Sequence, residues 1–128
     1  MAASWYRVLN RSRPLARPLR VRLCATGWCR LRGLMFRAHL DPEEGLLFQW
    51  SRPGRWRTAI HMWGMRFPLT LVWVDAHHRV VDVRLGRPWR TVAVPRRPAQ
   101  YVLELHASRL SEFHLGDHLV WEPLEGTS

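Results

Sequence analysis

Lysine is absent from this chain: all 20 basic residues are arginine, while isoleucine and asparagine occur once each, as Ile60 and Asn10. That skew is what a GC-rich coding bias produces, so richness in arginine is not by itself a sign of function. Cysteine is scarce. Cys24 and Cys29 are not spaced as the C-x-x-C of redox or zinc motifs, and a chain of 128 residues does not need a disulfide to hold a core. They are expected to be two reduced thiols in or near the core. No apolar run approaches the ~20 residues that a membrane-spanning helix requires, which argues against a membrane partner. The stretch Met1–Leu23 alternates arginine with apolar residues and lacks the continuous apolar segment of a signal peptide, so a cytoplasmic location is expected.

What is present fits one globular domain over residues 1–128. At this size roughly two-thirds of the unfolded surface can be buried. Eight tryptophans, each able to bury about 150–250 Å², supply anchors for a core. The formal net charge of +10 is unevenly placed: residues 1–40 hold nine Arg and no acid, whereas residues 41–128 hold eleven Arg against ten acids. The excess is N-terminal, a localised basic face.

Strict alternation in Leu19–Leu23 and Tyr101–His106 marks strands with one buried face. In the second, Tyr101, Leu103 and Leu105 share one side, and Val102, Glu104 and His106 the other. Tyr6–Asn10, Leu46–Trp50, Thr58–Met62 and His118–Glu122 read as further strands, with Ser51–Gly54 as a turn. Leu69–Asp75 and Val80–Leu85 form a hairpin with a polar tip. Thr26 can cap a helix whose stripe is Trp28, Leu31, Leu34 and Met35, Trp28 facing the core. Gly33 inside that helix costs about 1 kcal/mol relative to Ala, which suggests close packing there. Ser108 caps a second short helix carrying Leu110, Phe113 and Leu115, stopped by Gly116. The tail 123–128 is expected to fray. The fold class that results is mainly β: an antiparallel β-sandwich or partly open barrel of about seven strands with two short helices.

Several segments together resemble a known family. Arg30-Leu31-Arg32-Gly33-Leu34-Met35 is similar to the R-x-x-G-L-M motif of domain-of-unknown-function family 192, and Glu44–Phe48 resembles its G-hydrophobic-L-F segment. His61–Pro68 resembles the subgroup in which H-x-x-x-M-R-F-P replaces W-M-x-N-T. Pro88-Trp89, Ala99–Leu105 and Gly116-Asp117 follow in the same order, over about residues 5–121. The resemblance implies a compact, mostly β fold and a prokaryotic source, and brings no established activity. Thr70 stands where family members usually carry Asp, which weakens any reaction needing a carboxylate there. Ala107-Ser108 replaces the family's small-Gly pair.

The residues expected to form a ligand-binding site are Arg30, His61, Met65, Arg66 and Trp89, with Asp75 and Glu104 as possible partners. Arg30 and Glu104 are also the natural members of an internal ion pair, since a buried guanidinium needs a carboxylate to offset desolvation. No metal site is expected: the seven His are scattered, and the one adjacent pair, His77-His78, would face opposite ways in extended backbone and chelate poorly unless a turn reorients it. No cofactor is implied. G-x-S-x-G and G-x-x-x-x-G-K are both absent, so nothing positive supports an enzyme. The leading expectation is a noncatalytic binding or accessory module for a small anionic ligand or a peptide. One alternative is nonspecific nucleic-acid binding through Arg11, Arg13, Arg17, Arg20 and Arg22. Another is a small hydrolase with a His/Arg cleft.

Overall fold

A computed structural model describes residues 4–124. Strands β1 (Trp5–Asn10), β2 (Arg20–Cys24), β3 (Glu44–Gly54), β4 (Ile60–His61), β5 (Leu69–Val74), β6 (Val80–Gly86), β7 (Val92–Ala93), β8 (Ala99–His106) and β9 (Leu119–Pro123) make up most of it. A short helix, α1 (Gly27–Arg32), follows β2, and a 3-10 helix (Ala107–Glu112) follows β8. Seven strands form one curled sheet in the order β6-β5-β8-β3-β2-β1-β9, and β4 and β7 pair apart from it. Of the two architectures expected, this half-barrel is the partly open one. Neighbours are antiparallel except β2 and β3, which run parallel. A parallel pair needs a crossover, and α1 lies within it.

Alternation sorts the apolar residues onto two faces. Leu46, Phe48, Leu71, Trp73 and Val102 join one cluster with Leu34, Met62 and Met65. Leu47, Val72, Val74, Leu103 and Leu105 join the other with Val21, Phe113 and Leu119. β5, buried at every position, serves both. Full burial of each such side chain contributes roughly 1.5–3 kcal/mol. Trp73 also satisfies its indole, donating from Nε1 to Thr58 O at 2.7 Å.

The second face is closed by the 3-10 helix, and Arg109 ties it down. Arg109 is 1% exposed. It donates to the carbonyls of Pro42 (2.9 Å), Arg17 (3.1 Å) and Pro18, and to Glu112 Oε1 at 3.1 Å. At the same end Arg13 and Asn10 both donate to the buried Asp117, at 2.9 and 2.8 Å.

Five local expectations need correction. The 3-10 helix is capped by His106, whose Nδ1 accepts the Ser108 N–H at 3.1 Å, and it ends at Glu112, short of Gly116. The segment Ser51–Gly54 continues β3 past a register shift against β8 instead of turning. Helix α1 ends before Gly33, which sits at φ +49° beyond it, a left-handed conformation that glycine tolerates. A Cβ there would lie 3.1 Å from Phe48 Cζ and 3.2 Å from Glu104 Oε1, so the close packing is real. Only the later half of the expected stripe is buried: Trp28 is 72% exposed and Leu31 59%, whereas Leu34 and Met35, in the turn after the helix, pack into the core. Cys24 and Cys29 are joined in a disulfide, their Cα atoms 5.6 Å apart, because α1 turns back over the end of β2. Of the tail, Pro123 closes β9 and Leu124 donates its N–H to Trp5 O at 2.9 Å; the remainder of that expectation lies outside the described residues. No helix among the described residues is long and apolar enough to cross a membrane.

Candidate functional site

The first face of the sheet is only partly roofed. α1 and the turn after it lie across β3 and β8, with β4 alongside, and a cleft of about 180 Å³ opens between them. Arg30, His61, Met65 and Glu104, four of the residues singled out from sequence, line it together. Arg32, Arg57 and Trp50 join them.

Local structure explains each position. Thr26 caps α1 by accepting the Cys29 N–H at 3.1 Å. The helix aims Arg30 back across β3, where its Nη1 donates to Gln49 O at 2.9 Å and to Ala25 O. The guanidinium lies 5.2 Å from the Trp50 ring centroid, a cation–π contact. Arg30 is therefore anchored through Nη1 by main-chain carbonyls, and the expected ion pair with Glu104 does not form. Glu104 is 4% exposed, and its Oε1 has no hydrogen-bond partner among the described residues. Burial without compensation pushes its carboxyl up to about 8. At neutral pH it is mostly a neutral acid, an O–H donor with nothing to donate to.

His61 is held rather than free. Its Nδ1 accepts the Trp63 N–H at 3.2 Å, and its ring lies 5.2 Å from that of Trp63. Met65 is buried in the apolar cluster. Arg66 and Trp89 do not reach the cleft. Gly64, at φ +77°, turns the chain, and Arg66 points to solvent beyond it. Trp89 is exposed at φ +65°, with its N–H donating to Met62 O at 2.8 Å. Asp75 instead shapes the β5–β6 turn, accepting the N–H groups of His77 and Arg79 at 2.8 and 3.0 Å. Thr70 is buried, its hydroxyl donating to His106 O at 3.0 Å. Among the described residues no three of His, Cys, Asp or Glu gather as metal ligands. His78 stacks on Trp121 with ring centroids 4.2 Å apart.

The five arginines of the nucleic-acid alternative divide. Arg13 grips Asp117 at 2.9 Å. Arg20 pairs with Glu44 and lies 5.5 Å over Trp5. Arg11 and Arg17 are exposed. Arg22 lines a different cleft, on the far flank of α1. Sequence reading missed Arg32 and Arg57 as cleft residues. Arg32 was within reach, because it lies inside the R-x-x-G-L-M segment that forms the roof.

Comparison with known proteins agrees with this architecture. A protein from Novosphingobium aromaticivorans, of unknown function, has the same fold at a TM-score of 0.78 with 27% identity, over 93% of this chain and 85% of that one. A candidate transcription regulator from Sinorhizobium meliloti superposes at a TM-score of 0.80 with 24% identity, over 94% of each chain, a likeness of fold alone. UPF0127 protein TK1120 of Thermococcus kodakarensis is 31% identical over 120 residues, 92% of this chain and 74% of the relative. UPF0127 protein PH1112 of Pyrococcus horikoshii is 31% identical over 118 residues, 89% of this chain and 97% of the relative. The model of the DUF192 family, described as uncharacterized ACR, matches residues 8–121, and the chain belongs to that family.

Proposed function

We propose that this protein is a noncatalytic binding module that holds a small anionic ligand in the cleft beneath α1. The observation that carries the reading is Glu104, a buried carboxyl without a partner on a cleft wall that also presents Arg30, Arg32 and Arg57. An unmet buried polar group costs about 1–3 kcal/mol. A carboxylate or phosphate oxygen would accept the Glu104 proton while the guanidinium groups neutralise its charge. A cation would meet three positive charges. A peptide carboxylate would satisfy the same donors. Among the described residues no Ser, Thr or Cys lines the cleft, and His61 Nδ1 is already engaged, so the nucleophile–base pair of a covalent hydrolase is not assembled here. The cytoplasmic location expected from sequence is the element that the disulfide argues against, since such bonds persist in oxidising surroundings.

The test is to denature the purified protein and analyse released small molecules by mass spectrometry, then titrate a panel of small carboxylates and phosphates. Binding should weaken as pH rises through about 8, where Glu104 loses its proton and repels the anion. Glu104→Gln should remove that step. Release of nothing, together with no saturable binding from the panel, would overturn the reading.

A further inference from the structure

Helix α1 is held in an unusual way. None of its six residues is buried. Helices in small domains are ordinarily kept in place by a buried apolar stripe. Here the Cys24–Cys29 bond, the Thr26 cap and the carbonyl contacts of Arg30 do that work. The helix becomes a fixed ridge with its large side chains outward, and it separates two clefts. On the flank away from Glu104, a cleft of about 480 Å³ is lined by Arg22 from β2, Arg32 from α1, Arg37 from the following turn, and Trp28. No acid lines it. The guanidinium groups of Arg22, Arg32 and Arg37 make no hydrogen bond or ion pair among the described residues, in contrast to those of Arg13 and Arg20. An adjoining hollow shares Arg22 and Arg37 and ends at Glu44, whose carboxylate is already engaged by Arg20.

Three like charges lining one hollow repel one another, and an anion bound between them relieves that repulsion. Each guanidinium presents a fork of N–H donors that fits phosphate oxygens. The indole of Trp28, 72% exposed, offers a face on which a base can stack. A duplex hides its base faces, whereas a single strand exposes them. We infer that this second cleft binds single-stranded nucleic acid, with Arg22, Arg32 and Arg37 on successive phosphates and a base stacked on Trp28. The site shares Arg32 with the Glu104 cleft but lies on the opposite flank of α1, and it does not depend on the reading given to that cleft.

Fluorescence anisotropy of a short labelled oligothymidylate with the intact protein tests this. Single strands give a salt slope of about −0.7 per phosphate neutralised, so three contacts predict roughly twenty-fold weaker binding from about 50 to 200 mM salt. Trp28→Ala should weaken binding by roughly five-fold or more. The triple change R22S/R32S/R37S should abolish binding and the salt slope with it. Arg11→Ser with Arg17→Ser should leave affinity within about two-fold, allowing only for long-range charge, and Glu104→Gln should leave it unchanged. All these side chains except Glu104 and Arg22 are exposed, and circular dichroism checks that each variant folds. Absence of binding at low salt would overturn the proposal. So would an unaffected Trp28→Ala variant, equal affinity for duplex, or an equal loss in the Arg11/Arg17 variant.

Discussion

Two buried ionisable groups five positions apart in the chain are treated in opposite ways. Arg109, on the closed face, reaches three main-chain carbonyls and one carboxylate. Glu104, on the cleft face, reaches nothing among the described residues. Both are taken out of water, and both would cost several kcal/mol if left bare. At Arg109 the desolvation is offset by the loops it binds together, so its work is architectural. At Glu104 it is met by protonation instead, and hydrogen-bonding capacity is kept in reserve beside a cleft. The lesson is that burial alone does not tell the two groups apart, whereas the presence or absence of partners does.

That contrast can be broken or sharpened by substitution. The largest effect is expected at Arg109→Met, which strands three carbonyls and Glu112 and should cost about 3–5 kcal/mol in denaturant unfolding. A loss under about 1 kcal/mol would show that the network is ornamental. Next comes Glu104→Gln. The folded-state value of about 8 lies above the ordinary 4.5, so the unfolded chain releases its proton first and stability falls as pH rises between those values. The loss reaches about 5 kcal/mol by pH 9, and about 3 kcal/mol is already gone at pH 7. Glutamine stays neutral, and its own unmet amide offsets part of the gain. The variant should therefore be more stable than wild type by about 3 kcal/mol at pH 9 and less stable by about 2 kcal/mol near pH 4, where only the amide cost remains. A constant difference across thermal melts at several pH values would show that Glu104 is ionised throughout.

Smaller effects should come from the roof. Replacing both Cys24 and Cys29 by Ser opens a crosslink of sequence separation 5 and should cost about 2 kcal/mol, measured by unfolding with and without reductant. Gly33→Ala places a Cβ against Phe48 and the Glu104 carboxyl at a left-handed backbone position. About 1–2 kcal/mol is expected. If Gly33→Ala were neutral, the room around Glu104 would be larger than the contacts suggest, and the contrast with Arg109 would weaken.

Much of this arrangement is legible in the residues, and the failures share a cause. Period-two alternation in β2 and β8, and the Val- and Leu-rich hairpin of β5 and β6, report directly on strands because every second side chain meets the same face. Of the five residues expected to form the site, Arg30, His61 and Met65 line one cleft together with Glu104. The ion pair between Arg30 and Glu104 does not form, because its competitors were the carbonyls of Ala25 and Gln49, which every residue type carries and no letter announces. Arg109 was passed over for the same reason, its acceptors being mostly backbone. Arg66 and Trp89 were misplaced by backbone turns at φ +77° and +65°, which side-chain spacing does not encode. Trp28 and Leu31 of α1 were read as inward along with Leu34 and Met35 because the periodicity assumed a helix that in fact stops before Gly33. The cysteines were judged against metal and redox spacings, when what mattered was a helix folding back on the strand before it.

The pairing of β1 with β9 has a mechanical consequence. Tyr6 faces Pro123 across the ladder, so the first and last strands present their outer ends side by side at one corner of the sheet. Tension applied through both ends would load the hydrogen bonds of this edge one at a time, as a zipper opens, and not all together in shear. The fold should accordingly give way at low force and from that corner first, with β9 peeling off before β5 and β8 feel any pull.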